Sequence, residues 1–176
     1  MLHAILTAIG PDRPGLVDEV SQFIFQRGGN IEDSRMVNLR GQFAMMVLVA
    51  AQEPTLRRLR DELGQLAQTS GLTTDLRPAS AAAAPAPADA MPYRLVATAM
   101  DQPGLVHRIS HVLRELGINI ESLETRLKPA PYTGAPMFEM ELVLSVPRQS
   151  PLAQVRQRLA GLCDELNVDW QLGPLA

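Results

Sequence analysis

The residues best suited to bind a small charged molecule occur in two copies of one short turn. The first copy, DRPGLV, begins at Asp12, and the second copy, DQPGLV, begins at Asp101. In both copies an apolar, strand-like run comes before the turn, and apolar residues at helical spacing follow it. The first N–H groups of a helix attract a carboxylate or a small anion, and a glycine lets the ligand approach the backbone. The two turns are therefore candidate carboxylate sites.

Candidate partners for an ammonium group lie at the same turns and at the start of the next strand. An aspartate opens each turn, and an asparagine, which offers both a donor and an acceptor, opens each following strand. The predicted ligand residues are Asp12, Gly15, Leu16, Asn30 and Ile31 in the first copy, and Asp101, Gly104, Leu105, Asn119 and Ile120 in the second. A carboxylate site beside an ammonium acceptor is typical of an amino-acid pocket. The alternative is structural, because an aspartate before Pro-Gly and an apolar helix is also a common helix cap, and the spacing alone favours this interpretation.

The two turns belong to a duplication that covers most of the chain. Their offset is 89 residues (101 − 12), and the same offset aligns Asn30 with Asn119. A period of about 90 residues has the size of a small domain. Between the copies lies an alanine- and proline-rich segment without an amphipathic period, which is typical of a semi-rigid linker. We predict domains at 1–78 and 93–176, joined by a linker at 79–92.

Within each copy the apolar patterns follow the order strand, helix, strand, strand, helix, strand. This order predicts the α+β class, with two ferredoxin-like βαββαβ domains, each an antiparallel four-stranded sheet with two helices on one face. The segment FAMMVLV, which begins at Phe43, is apolar on both faces, so we expect another surface to cover the outer face of the first sheet. The predicted core positions of the first helix of each copy are Leu16, Val17, Val20, Phe23 and Ile24, and then Leu105, Val106, Ile109, Val112, Leu113 and Leu116.

Prolines and glycines predict where these first helices begin and end. Pro14 and Pro103 suit the first helical turn, where a missing N–H group leaves no hydrogen bond unmade. Gly28 and Gly117 suit the left-handed residue that ends many helices.

The second copy has a longer connection between its two middle strands. Phe43 corresponds to Phe138, an offset of 95, so this connection is six residues longer (95 − 89). We predict that the loop from Lys128 to Pro136, with an exposed Tyr132, forms a surface for a protein partner. The alternative is drift in length at a hairpin tip.

Composition and the remaining reactive residues argue against several classes of function. The formal net charge of −3, and the lack of a helix to spare for a helix-turn-helix, argue against direct nucleic-acid binding. No apolar run is long enough to cross a membrane, and the single cysteine, Cys163, fits a reducing cytoplasm and the apolar stripe of its helix. His107 and His111 have metal-ligand spacing but lie on the polar side of a predicted helix. We expect no metal, no cofactor and no catalytic residues.

The pattern D-x-P-G-L-V, a helix, and then G-x-N-I resembles the ACT domain, a βαββαβ module that binds amino acids in many metabolic regulators. The resemblance covers nearly the whole chain outside the linker. The matching residues are Asp12, Pro14, Gly15, Gly28, Asn30 and Ile31, and then Asp101, Pro103, Gly104, Gly117, Asn119 and Ile120. The resemblance implies that an amino acid binds where two modules meet, between this turn and the asparagine-bearing strand start.

A stand-alone pair of such modules resembles, in its organisation, the group of glycine cleavage system transcriptional repressors. This resemblance implies a cytoplasmic regulator, not an enzyme, that senses a small amino acid, glycine or serine. It also implies action through a protein partner, a DNA-binding activator, and we expect a homo-oligomer. The alternative is a regulatory subunit of an amino-acid biosynthetic enzyme, such as the small subunit of acetolactate synthase.

Overall fold

The computed structural model describes residues 1–79, 89–131 and 133–175. The chain divides into two compact units, Met1–Ala83 and Ala84–Ala176, and each unit has its own sheet and its own apolar core. Most of the predicted linker, residues 80–88, lies outside the described residues.

The first unit has the predicted order of elements, but its second helix is divided in two. The elements are β1 (Leu2–Pro11), α1 (Leu16–Gln26), β2 (Asn30–Leu39), β3 (Gln42–Ala51), α2 (Glu53–Asp61), α3 (Leu63–Ser70) and β4 (Thr73–Pro78). The division falls at Glu62, whose carboxylate accepts hydrogen bonds from Arg58 (3.0 Å) and Arg27 (2.8 Å). These two guanidinium groups, Arg58 foremost, hold the pKa of the Glu62 carboxyl below its ordinary value. Arg27 directly follows α1, so its ion pair with Glu62 links the junction of α2 and α3 to the end of α1.

The second unit repeats the same order with a continuous second helix. Its elements are β5 (Ala90–Met100), α4 (Leu105–Glu115), β6 (Asn119–Pro129), β7 (Pro136–Pro147), α5 (Leu152–Leu166) and β8 (Asp169–Pro174). Strand β5 begins at Ala90, before the predicted domain start at 93, because Ala90, Met91 and Pro92 still pair with β7. The end of the predicted linker is therefore strand.

Both sheets are antiparallel and four-stranded, in the orders β2-β3-β1-β4 and β6-β7-β5-β8. Alternate residues of the central strands, such as Leu6 of β1 and Leu95 of β5, lie in the cores with the apolar faces of the helices. The predicted α+β class with two ferredoxin-like domains is confirmed. In each sheet the two long central strands carry the core, while β2 and β6 lie at an edge.

The first helices begin two residues after the prolines, at Leu16 and Leu105. Gly15 and Gly104 have φ values of 94° and 91°, so helices α1 and α4 begin after them, and Pro14 and Pro103 lie in the turn before the helix. The prediction that the prolines occupy the first helical turn is therefore wrong, because a left-handed residue cannot continue a right-handed helix.

The predicted ends of the first helices are correct. Gly28 and Gly117 have positive φ values of 81° and 67°, and their N–H groups bond to carbonyls of the last helical turn.

Most predicted core positions of α1 and α4 are buried, with one exception in each helix. Val17 is 46% exposed and Val106 is 36% exposed, so the prediction is wrong for this pair. Each follows a buried leucine, and successive helical residues point about 100° apart, so the valine leaves the face that meets the sheet. The buried positions are Leu16, Val20, Phe23 and Ile24, and Leu105, Ile109, Val112 and Leu113, while Leu116 is partly buried against its core.

The outer face of the first sheet is apolar, as the pattern of β3 indicates. Phe43, Met45 and Val47 lie in the core, whereas Met46, on the opposite face, is about half exposed, as is Ile9 on β1. That another surface covers this face stays a prediction.

The middle connections differ in length as predicted. In the first unit β2 and β3 are joined by Arg40 and Gly41, both with positive φ. In the second unit the connection is residues 130–135, closed by a 2.8 Å hydrogen bond from the N–H of Ala130 to the carbonyl of Ala135. Tyr132 lies outside the described residues, and the role of this loop as a partner surface stays a prediction.

We expect Leu159→Ala to destabilise the second unit by about 2–5 kcal/mol, because it leaves a cavity in a closely packed core. Leu159 is 0% exposed in α5. Urea unfolding can be followed by the fluorescence of Trp170, the single tryptophan, which packs against this core. The matched control is Leu127→Ala on β6, at a side chain that is 59% exposed, with an expected change within about 0.5 kcal/mol. Equal effects of the two variants would contradict the assigned core.

Candidate functional site

The repeated turn leaves the start of each following helix without a side-chain cap. Gly15 and Gly104 are the N-cap residues of α1 and α4, and no side chain of the described residues makes a capping hydrogen bond there. The backbone N–H of Asp12 donates to the carbonyl of Gly41 at 2.8 Å, and the backbone N–H of Asp101 donates to the carbonyl of Pro136 at 3.0 Å. The capping interpretation of the two aspartates is therefore wrong, and the first helical N–H groups remain available to a ligand.

A depression opens at each of the two turns. The first has a volume of about 510 Å³ and is lined by Asp12, Arg13, Pro14, Gly15, Leu16, Val17, Asp18, Met36 and Phe43. The second, of about 440 Å³, is lined by Gln102, Gly104, Leu105, Val106, His107 and Phe138. Both have the same plan: the glycine and the helix start on one side, and the aligned phenylalanines Phe43 and Phe138 on the other. The exposed valines of the two helices are part of these walls.

Several lining residues were not predicted from the sequence. Val17 and Val106 look like core residues by spacing alone, and Met36 carries no signal at all. Phe43 and Phe138 correspond to each other in the two copies, and this correspondence is the sequence signal that could have found them. In the sheets they pair with Gly10 and Ala99, each of which lies two residues before the aspartate of the turn.

Different side chains tie the two turns to the same place in the fold. In the first unit Arg13 donates to the carbonyl of Ser70, the last residue of α3, at 3.2 Å. In the second unit Gln102 donates to the carbonyl of Leu166, the last residue of α5, at 2.9 Å. Each bond links the turn to the end of the second helical segment and so fixes the turn relative to that segment.

Charge is arranged differently at the two turns. Arg13 forms a bidentate pair with Glu19, with distances of 2.6 and 2.8 Å, and this guanidinium holds the pKa of the Glu19 carboxyl below its ordinary value. The carboxylate of Asp12 accepts a hydrogen bond from the Asn38 side chain. At the offset of 89 residues, the counterpart of Asn38 is Leu127, which cannot donate to Asp101.

The asparagines lie at the other end of each sheet from the turns. Through Ala50 on β3, Asn30 lies level with His3, near the start of β1. The Asp12 turn follows Pro11, at the end of β1. At about 3.3 Å per residue, the two ends are roughly 25 Å apart. Within one unit the turn and the asparagine therefore do not form one pocket. An arrangement that takes the two parts from two modules stays a prediction.

Each asparagine has its own surroundings at the strand start. Asn30 and Ile31 line a separate depression of about 390 Å³ beside the end of α1, next to the exposed Phe25. In the second unit the Asn119 side chain donates to Glu121 at 2.7 Å. Ile120 follows Asn119 on β6 and packs against the second core.

The two histidines of α4 and the cysteine of α5 are the other candidate reactive side chains, and His107 also lines the second depression. The His107 and His111 rings are 6.0 Å apart, and among residues 1–79, 89–131 and 133–175 no group of three histidine, cysteine or acidic side chains could hold a metal ion. Cys163 is confirmed as a core residue, and burial raises the pKa of its thiol to about 11. In the same described ranges no helix is long and apolar enough to cross a bilayer.

We expect Asp101→Ala to change the ligand-free stability of the second unit by less than about 0.5 kcal/mol, because this side chain does not cap α4. Removal of a true aspartate cap would destabilise by about 1 kcal/mol. Urea unfolding followed by Trp170 fluorescence distinguishes the two values. A loss of 1 kcal/mol or more would restore the capping interpretation.

Comparison with known proteins agrees with the duplicated fold. The ACT-domain family pattern matches residues 3–77 and again residues 93–164. The glycine cleavage system transcriptional repressor of Escherichia coli K12 is 30% identical in an alignment 172 residues long, which covers 94% of this chain and 86% of the repressor. A crystal structure of a protein from Galdieria sulphuraria has 31% identity and a TM-score of 0.81, with 99% of each chain covered. With both domains matched and a repressor aligned along nearly its whole length, the chain belongs to the ACT-domain family, among the tandem relatives of the glycine cleavage system transcriptional repressor.

Proposed function

We propose that this chain is an amino-acid-sensing regulator that represses transcription through a protein partner. The observation that carries the proposal is the match to a named repressor over 94% of the chain, combined with two uncapped helix starts at the repeated turns. The match to the repressor supports the class of function. The uncapped helix starts offer N–H donors that can bind the carboxylate of the effector.

The effector is a small amino acid, glycine first and serine second. Its carboxylate binds the free N–H groups at Gly15–Leu16 and at Gly104–Leu105, where partial positive charge of the helix dipole favours an anion. Its ammonium group binds an aspartate of the turn and the asparagine of a second ACT module. The small size of the effector follows from the glycine cleavage system in the name of the Escherichia coli relative.

The regulator works in the cytoplasm as a homo-oligomer and reaches DNA through an activator protein. A formal net charge of −3 supports this indirect route, because phosphate contacts from lysine and arginine supply much of the affinity of proteins that bind DNA directly. Cys163 is buried in the second core, which raises the pKa of its thiol to about 11, and this supports a regulatory role rather than an enzymatic one.

We expect glycine to raise the melting temperature of the protein by several degrees. At 100 times the dissociation constant, a ligand that binds only the folded state adds about 2.7 kcal/mol of stability. A calorimetric screen of the twenty amino acids measures the shift. Asn30→Ala and Asn119→Ala should reduce it and leave the ligand-free melting temperature nearly unchanged. If no amino acid at millimolar concentration shifts the transition, the sensing function is wrong.

We also expect the purified chain alone to form no specific complex with DNA in a gel-shift assay at physiological salt. A sequence-specific, submicromolar complex without any partner would contradict the indirect mechanism. With the DNA-binding activator added, a complex of DNA, activator and this chain should be retarded in the gel. Glycine should change the amount of that complex.

Co-purification from the native cell identifies the partner. An activator of transcription among the bound proteins supports the proposal. A large catalytic chain of a biosynthetic enzyme would instead support the alternative of an enzyme's regulatory subunit.

A further inference from the structure

The strand start that carries Asn119 has a hydrogen-bonded support that, within the part of the chain that the structure describes, its counterpart in the first unit lacks. The Asn119 side-chain N–H donates to Oε1 of Glu121 at 2.7 Å, and the hydroxyl of Ser145 donates to the same oxygen at 2.7 Å. Ser145 lies directly opposite Asn119 in the strand register and is 8% exposed. One carboxylate oxygen therefore joins both side chains.

Glu121 lies at a β-bulge, two residues after Asn119. The register of β6 against β7 shifts between Ile120 and Ser122, so Glu121 is the extra residue with no partner opposite. Residues two apart in a strand lie on the same face of the sheet, so the side chains of Asn119 and Glu121 can meet. The hydrogen bond from Ser145, and then that from Asn119, hold the pKa of the Glu121 carboxyl below its ordinary value. The carboxylate therefore stays ionised near neutral pH.

The first unit has the same bulge but uses it differently. The shift lies between Ile31 and Asp33, so Glu32 is the extra residue. An Oε2–Nε2 distance of 3.0 Å joins Glu32 to His3. The residue opposite Asn30 is Ala50, which has no hydroxyl to donate. The bulge glutamate of the first unit is thus directed across β3 to a histidine on β1 rather than to the asparagine.

We propose that Glu121 and Ser145 are positioning residues that orient the Asn119 amide for the ammonium group of the effector. This inference rests on the proposed amino-acid sensing. An ionised carboxylate only accepts hydrogen bonds, so the NH₂ group of Asn119 must face Glu121. Its carbonyl oxygen Oδ1 is then the atom left to accept an N–H from an ammonium group. The two strand starts are consequently not equivalent: Asn119 is oriented before the ligand arrives, and Asn30 is not.

Pre-orientation improves affinity because the side chain does not have to be ordered when the ligand binds. The ordering of one side chain at a binding site corresponds to roughly a threefold to tenfold change in dissociation constant. Glu121→Ala should therefore weaken glycine binding about threefold to tenfold, and Ser145→Ala should weaken it less. Glu121→Gln should stay within about twofold of the wild type, since its amide oxygen can accept the same two bonds. The matched control is Glu32→Ala, at the same bulge of the first unit, with no expected change.

The test is titration calorimetry with glycine on the wild-type chain and the four variants, after their ligand-free melting temperatures have been compared. NMR spectra of the asparagine side-chain NH₂ groups provide a second readout. In the ligand-free wild type the Asn119 signals should be dispersed and slow to exchange, and Glu121→Ala should shift them toward exposed-amide values. A Glu121→Ala protein with wild-type glycine affinity overturns the positioning role, while the sensing function stands. No response of the wild type to any of the twenty amino acids overturns both.

Discussion

The left-handed glycine at each strand-to-helix turn is the constraint on which the rest of the candidate site depends. At φ values of 94° and 91°, Gly15 and Gly104 adopt a conformation that is unfavourable by about 1–2 kcal/mol for residues with a Cβ atom. The glycine also occupies the cap position, where a serine or aspartate would otherwise bond the first helical N–H groups. The same residue therefore sets where the helix begins and leaves its N-terminal donors unoccupied.

Duplication preserved the backbone of this turn more strictly than the side chains that support it. Arg13 and Gln102 differ in charge and length, yet each bonds the last carbonyl of the second helical segment. The bulge glutamates Glu32 and Glu121 are identical, yet one binds a histidine on β1 and the other binds an asparagine and a serine. Backbone geometry is set by the repeated pattern of glycine and apolar residues, whereas side-chain partners depend on single substitutions. Two sites with one plan can thus have different affinities.

The length of the sheet separates the two parts of the predicted site within one unit. A turn and an asparagine roughly 25 Å apart in one unit cannot both contact an amino acid, which spans only a few ångströms. A ligand bound at the turn is therefore out of reach of the asparagine of the same unit.

The sequence by itself determined the duplication, the order of elements and the ferredoxin-like class, because apolar periodicity and glycine positions act locally along the chain. It also identified the turns, and the equivalence of Phe43 and Phe138, from spacing alone. The tertiary structure decided that Val17 and Val106 are exposed, because the apolar spacing includes them in the helical stripe and only the position of the sheet decides which residues of that stripe are buried. It also decided that the aspartates do not cap the helices, since Gly15 and Gly104 take that position. Finally, only strand register separates the turn from Asn30 and brings Ser145 opposite Asn119, because pairing across a sheet joins residues that lie far apart in the chain.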